Sequence, residues 1–423
     1  MVAKEVKSYR PVNILILNVH SALNLGDEAI MRVTLESLRQ AFPRANITVA
    51  ANDPESWFQY HDAVFVGSLT RWIIHCREEH WYANIFAVPV YLILLIVAIV
   101  GYRLLKIKLL FGSAEQQRLM SAYYDADLVL SCGGGNFYAH RLISPFFIWA
   151  VFSLGVALCL SKHVIMLPQS IGPIAGQFQR ILARQVFNRV KLIMHREQLS
   201  FDFVARDLKV KTPGILIPDM AFGLPPIILS RSRDNAVPLQ IGVTVTDRIA
   251  QRDAVCQKVY EDTLEIVLVK LNQTRDIHIH IFVQCYGPSL VHDDRLAAQR
   301  LYERLRRYTD RVNLWVVFSS ALALRIAYAQ MDCMIGTRMH TAIFAASSGV
   351  PVVLISYQPK AIGVMRMLEV SEYTSDIETL TPEQLYDLVS RALQNREELR
   401  AHLLARYDEL RGQLDDWTRF LEI

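Results

Sequence analysis

Asp332-Cys-Met-Ile-Gly336-Thr-Arg338-Met-His340-Thr-Ala-Ile-Phe-Ala-Ala-Ser-Ser-Gly349-Val-Pro351-Val-Val-Leu-Ile-Ser356-Tyr-Gln-Pro-Lys360 decides the fold of this chain. Residues 333–335 form a short apolar strand, and Gly336 admits a tight turn. Thr337 is placed to cap a helix that ends at Gly349, with Pro351 just beyond. Residues 352–356 are the next buried strand. Arg338 and His340 then stand at a helix N-terminus just past the carboxyl end of a strand, where open α/β sheets bind ligands. The unpaired N–H groups and the helix dipole favour an anion there. Lys360 follows the next strand and returns to the same crevice edge. Singly, Arg338 and His340 serve equally well as helix-terminal residues and Lys360 as a solvated lysine. Together, a guanidinium, an imidazole and an ammonium suit a small, densely charged ligand.

Outward from this unit the same alternation repeats. Residues 14–17 are a buried strand, and the loop after it ends at Asp27. A helix over about 28–41 follows, with Ile30, Val33, Leu35, Leu38 and Phe42 on its apolar face and Asp27 as its expected N-cap. Asn24, Gly26 and Asp27 therefore lie at a strand's carboxyl end, on the ligand side. The strand at 128–132 runs into Gly133-Gly134-Gly135-Asn136, read as a loop whose backbone approaches a ligand closely. It is not the Gly-x-Gly-x-x-Gly dinucleotide fingerprint. Asp125-Ala-Asp127 precedes the strand and is read as a solvated turn. Pro168-Gln169-Ser170-Ile-Gly-Pro173 reads as a tight turn after a strand, and Arg196 repeats the post-strand placement of Arg338. Asp219 does the same after residues 215–218. Residues 224–238 hold three prolines and form the expected linker. A second α/β unit begins at 239, and Thr381-Pro-Glu-Gln384 opens a capped helical tail.

The chain has 423 residues, of which 52% are hydrophobic, enough for large cores. Its net charge of +4 is too small to argue for nucleic acid, and fits an acidic small substrate or a membrane surface. The six scattered cysteines, with no Cys-x-x-Cys pair, point to reduced thiols in a cytosolic setting and against structural zinc. No metal-ligand cluster is visible, and no cofactor is expected.

Residues 81–102 carry no charge, and Arg103, Lys106 and Lys108 follow at once. By length this is a membrane-spanning candidate. A single crossing conflicts with the strands at 14 and 128 sharing one sheet. Two readings remain: a helix dipping into or lying on a membrane, as the trailing basic residues suggest, or a helix covered by protein. The first places the protein in the cytoplasm, at the inner face of the membrane.

Two α/β domains facing a cleft are thus expected. The first covers 1–223, with an apolar insertion at 81–110. The second covers 239–380, and residues 381–423 pack back on the first. Asn24-Leu-Gly-Asp27, Gly133-Gly-Gly135, Gln169-Ser-Ile-Gly-Pro173, Arg196-Glu-Gln-Leu-Ser200, Pro218-Asp219, Gly336-Thr-Arg-Met-His340 and Tyr357-Gln-Pro-Lys360 resemble, in order, the signature blocks of the polysaccharide pyruvyl transferase family. The resemblance covers roughly residues 13–367; the insertion is outside its core pattern. It implies two Rossmann-like domains of glycosyltransferase-B type, and transfer of a pyruvyl group from phosphoenolpyruvate to two sugar hydroxyls, giving a cyclic ketal and phosphate. It associates Arg196, Arg338, His340 and Lys360 with the phosphoenolpyruvate site. Arginine holds phosphate or carboxylate bidentately and lysine adds a point charge. His340 is the natural acid for the methylene carbon. Asp27 and Asp219 are the candidate bases, with capping or pairing as their plain alternative. Asn24, Gly26, Gly134, Gly135, Asn136, Gln169 and Ser170 are expected around the acceptor or in the cleft loops, the acceptor being a saccharide in a polysaccharide or a lipid-linked oligosaccharide. The competing functions are a nucleotide-sugar glycosyltransferase of the same architecture and a non-catalytic membrane-bound partner in glycan assembly.

Overall fold

The structure, a computed structural model, describes residues 11–72, 81–229, 237–247, 254–289 and 293–421. Residues 230–236 of the expected linker lie outside them.

Fourteen strands form two all-parallel sheets among the described residues. In the first, β1 (Asn13–Val19), β2 (Asn46–Ala51), β3 (Val64–Gly67), β4 (Leu128–Ser131), β5 (Gly134–Ala139), β6 (His163–Ile174), β7 (Leu192–His195) and β8 (Gly214–Leu216) take the order β3-β2-β1-β4-β6-β7-β8. In the second, β9 (Leu239–Thr244), β10 (Ile277–Phe282), β11 (Val312–Trp315), β12 (Cys333–Gly336), β13 (Val352–Ser356) and β14 (Thr374–Asp376) take the order β11-β10-β9-β12-β13-β14. Each order reverses beside its first strand. The two switch points, β1/β4 and β9/β12, are where a doubly wound sheet opens a crevice for ligand. The central strands are buried on both faces, which is why they read as continuous apolar runs rather than alternating ones.

Two loops of the sequence reading are strands. β4 pairs with residues 163–166 of β6, and β5 pairs with residues 169–174 of the same strand. The triple glycine is therefore not a loop leaving the sheet. It is a break in a line that runs on beside β6, with Gly134 at φ +135° taking up the irregularity. Residues 168–173 likewise continue β6 instead of turning. Two capping expectations also fail. The helix Leu25–Ala41 starts at Asn24, whose side chain accepts from Gly26 N at 3.2 Å, so Asp27 is not its cap. The helix Met339–Ala346 is preceded by Arg338, because the Thr337 hydroxyl is committed to Thr244 O at 3.1 Å. Asp127 is not a solvated turn residue: its carboxylate accepts from Asn13 N at 2.9 Å and ties β1 to the entry of β4.

The domains meet along the exits of β1 and β10. Gln284 O accepts from Leu25 N at 3.2 Å, and Leu23 O from Tyr286 N at 3.0 Å. Glu28, buried in the first domain, accepts from Ala321 N at 2.9 Å at the start of helix Ala321–Tyr328. One buried apolar cluster runs through both sheets. Thr381 caps the helix Pro382–Gln394, and the helix Arg396–Gly412 returns to the end of the first domain, where Tyr407 packs on Phe222 at 5.5 Å and donates to Leu224 O, the first linker residue, at 3.0 Å.

The helix Trp81–Leu105 belongs to an excursion between β3 and the crossover helix Ala114–Asp125. Both ends of the excursion sit at Gly67: Trp72 lies beside that glycine, and Glu115 Oε1 accepts from Gly67 N at 2.9 Å. β1 and β4 pair in parallel within one sheet. Of residues 88–105, 11% are buried, so within this chain protein covers one side of the helix only.

Candidate active site

The second domain's half of the site is built on Thr244. At the end of β9 its hydroxyl accepts from Thr337 N at 3.2 Å and meets Thr341 Oγ1 at 3.0 Å. This knits β9 to the β12 exit and fixes the first turn of helix Met339–Ala346. Gln284 Oε1 accepts from Thr341 at 2.9 Å and from Tyr328 at 3.2 Å, adding the β10 exit to the same network.

Arg338 leaves this platform sideways. Its Nε and Nη2 donate to the two oxygens of Asp294 at 2.9 and 2.5 Å, with both side chains buried. Burial works against the charged guanidinium, and Asp294 more than offsets it, so Arg338 is raised well above its ordinary value. Asp294 thus takes up most of the arginine read from sequence as an anion ligand. Nothing in the sequence pattern pointed to Asp294, which opens an ordinary amphipathic helix.

His340 crosses to the first domain. Its ring lies against Gly26, where a Cβ would overlap Nδ1 and Cγ, so only glycine lets the two helices approach there. Its Nε2 is 3.8 Å from Asp219 Oδ1, within ion-pair range and too long for a hydrogen bond. The buried Nε2 has no hydrogen-bond partner.

Asp219 joins the halves. Fully buried, it accepts from Arg196 Nη1 at 2.5 Å through Oδ2 and from Ala221 N at 2.9 Å through Oδ1. Burial pushes its carboxyl up. The Arg196 guanidinium, helped by His340 and the Ala221 N–H, more than offsets this and holds it well below the usual carboxylate range. A carboxylate so held is a poor proton acceptor and a good orienting group. Arg196 also donates through Nε to Ser170 Oγ at 2.6 Å, and Ser170 donates to Glu197 at 3.0 Å. Burial raises Glu197 above its ordinary value.

The remaining terminus of Arg196, Nη2, is buried and without a partner. It points to Gly135: a Cβ built there would lie 3.7 Å from Arg196 Nη2 and 3.2 Å from Lys360 Nζ. Lys360 comes from the first turn of helix Pro359–Met367, at the exit of β13. Two cations from opposite domains thus converge on one bare backbone position.

Beside them Asp27, Asn136, His20, Cys132 and residues 133–135 line a small pocket at the β1/β4 switch point. Asp27 accepts from Asn24 Nδ2 at 2.9 Å, and Asn136 donates to Asn18 O at 2.6 Å. Gln169 is fully buried and bonds inward to Ser131 Oγ at 2.9 Å, so it supports β4 and does not face the pocket. Asn18 and His20 were missed from sequence. The one available sign was an asparagine at a strand end, and it takes a left-handed conformation with φ 62°. A larger hollow, lined by Asn13, Asn46, Arg118 and Asp125, lies at the opposite end of β1 and has no part in this arrangement.

Two parallel doubly wound sheets with facing switch points define a glycosyltransferase-B-like protein. Solved structures agree on the fold alone: Anabaena Alr3699/HepE in complex with UDP and glucose (TM-score 0.57, 12% identity, 97% of this chain and 99% of that one), and alpha,alpha-trehalose 6-phosphate synthase from Burkholderia multivorans (0.54, 10%, 97% and 98%). The family model for polysaccharide pyruvyl transferase matches residues 24–359, and the chain belongs to that family. It is also 26% identical over 420 residues to the amylovoran biosynthesis protein AmsJ of Erwinia amylovora, covering 92% of this chain and 94% of that protein.

Proposed function

We propose that the chain moves the pyruvyl group of phosphoenolpyruvate onto two hydroxyls of a saccharide, forming a cyclic ketal and releasing phosphate. The observation that carries this reading is the convergence of Arg196 Nη2 and Lys360 Nζ on Gly135, beside His340. A buried guanidinium nitrogen without a partner is costly unless an anion completes it. Phosphoenolpyruvate carries two anionic groups close together and suits a cleft fed by cations from both domains. Arg338, paired with Asp294 through Nε and Nη2, leaves Nη1 outside that pair.

In this reading His340 gives a proton to the methylene carbon, which becomes the methyl group. The carbon bearing the phosphate turns electrophilic, and one sugar hydroxyl adds to it while its proton passes to a base. Phosphate leaves with the electron pair of its C–O bond. The second hydroxyl then closes the ketal and gives up its proton in turn. Asp27, which lines the pocket with Asn136 and accepts from Asn24, is the base. Asp219 is the orienting carboxylate that faces His340 and holds Arg196.

The same fold in a protein crystallised with UDP and glucose favours a second reading, sugar transfer from a nucleotide sugar. One experiment separates them. The purified chain with an acceptor oligosaccharide should release inorganic phosphate from phosphoenolpyruvate and add a pyruvate ketal to the glycan by mass spectrometry. Release of UDP or GDP from a sugar nucleotide, with phosphoenolpyruvate untouched, would reverse the assignment.

A further inference from the structure

The helix Trp81–Leu105 is apolar on two sides, and the protein uses one of them. Leu95 and Ala98 are buried, with Tyr91, Ile99 and Tyr102 packed beside them on the first domain. Val90, Ile93, Ile96, Val97, Val100 and Leu104 are exposed, from 46% to 76%. At 100° per residue these six fall within an arc of about 120°, opposite the packed side. A continuous apolar stripe of this kind marks an interaction surface.

We propose that this stripe docks the protein on an anionic lipid bilayer, with the helix lying in the interfacial plane. Charge selects the occupant. Residues 81–112 contain no Asp or Glu, while Arg103, Lys106 and Lys108, the last paired with Asp125, are exposed and interleaved with the exposed Leu104, Leu105, Ile107 and Leu110. That mixture fits lipid headgroups over acyl chains. Two copies of the helix packed parallel along the stripe would instead bring like charges together. Both ends of the excursion are held at Gly67, so the helix rests on the surface and does not cross it. Its Tyr91 packs on Trp72 at 5.7 Å, just past the carboxyl end of β3, so this part of the helix stands at the end of the sheet that carries the cleft, while Tyr102 and Lys108 reach Tyr124 and Asp125 at the other end. An acceptor held in the same bilayer would reach Asn24 and Asp27 from that side. This last step rests on the pyruvyl transfer reading; the docking does not.

The test is co-sedimentation of the full chain with vesicles of phosphatidylcholine plus phosphatidylglycerol, and with phosphatidylcholine alone. Wild type should bind the anionic vesicles more tightly. The double variant Ile96→Asn/Val100→Asn should bind both at least about tenfold more weakly while keeping its circular dichroism. Arg103→Gln/Lys106→Gln should weaken binding to the anionic vesicles only. Wild type that stays in the supernatant, or an Ile96→Asn/Val100→Asn variant that binds as well as wild type, overturns the docking. So does a dimer in velocity sedimentation that the same substitutions dissolve, which would give the stripe to a second copy. Turnover of phosphoenolpyruvate on a short soluble acceptor is scored separately: a chain that binds vesicles and never turns over refutes the transfer and leaves the docking standing.

Discussion

Arg196 Nη1 donates to Asp219 Oδ2 at 2.5 Å in full burial, while the other terminus of the same guanidinium has no partner. One side of the arginine is thus neutralised inside the fold and the other kept open toward the cleft. The pair makes a stability prediction with a sign. The Asp219 carboxyl lies below its unfolded value, because Arg196 outweighs burial. Its contribution is complete above the unfolded value of about 3.9 and is lost as pH falls through the lower folded one. Asp219→Asn should flatten the acid limb of the stability profile below about pH 4. At neutral pH it should cost about 3–5 kcal/mol, since Arg196 is left buried without its carboxylate. Urea unfolding across pH checks both parts; equal acid limbs in the two proteins would contradict the pairing.

Lys360 and Arg338 should behave differently, although the sequence places them alike. Removing Lys360 deletes one charge-assisted contact to a bound anion, worth about 1.5–3 kcal/mol. Lys360→Ala should therefore raise the Kd for phosphoenolpyruvate roughly 10- to 150-fold by titration calorimetry, with the unfolding transition unchanged. Arg338→Ala takes the guanidinium from the buried Asp294 carboxylate, so its main effect should be a loss of about 3–5 kcal/mol in stability. If Arg338→Ala instead unfolds like wild type and binds donor poorly, Arg338 serves the ligand and not the fold.

The contrast shows where the sequence stops being legible. Strand–turn–helix periodicity placed Arg196, Arg338, His340 and Lys360 at strand exits, because apolar runs and glycine turns are local signals. The doubly wound class follows from the same signals. What a guanidinium faces is not local. Asp294 and Arg338 are 44 positions apart. The carboxylate that captures the arginine sits in a helix start no different in pattern from a solvated one. The triple glycine misled for the opposite reason: its composition says turn, while β6 offers a long edge that draws the chain straight on. Gly26 shows a third case, a residue whose identity is set by a side chain from the other domain.

His340 is the group on which the proposed chemistry turns. If it protonates the methylene carbon, His340→Gln should bind phosphoenolpyruvate nearly as wild type does and lose turnover by about 10²–10⁴-fold. Reaction of wild type in heavy water should place one deuterium in the ketal methyl group. A variant with weakened donor binding and normal turnover of bound donor would make the imidazole a binding group alone.

Gly26 allows the His340 placement to be tested without touching the imidazole. The residue lies in the first turn of helix Leu25–Ala41, where helix preference favours alanine over glycine by about 1 kcal/mol in the interior and less near an end. On that ground alone Gly26→Ala should stabilise the protein. The new methyl group would overlap the His340 ring, however, and the ring is confined by Phe344 at 6.1 Å and by the Asp219 side. Relieving an overlap by moving packed groups costs about 1–3 kcal/mol, which exceeds the helix gain. Gly26→Ala should therefore destabilise the wild-type background and depress turnover, with the ring pushed off Asp219. In a His340→Ala background the obstacle is gone, and the same substitution should become neutral or stabilising by up to about 1 kcal/mol. The cycle should thus show a coupling of about 1–3 kcal/mol in urea unfolding, the range expected for residues in contact. Additive effects would mean that the two helices do not meet at Gly26 and His340, and the cleft would have to be rebuilt without that contact.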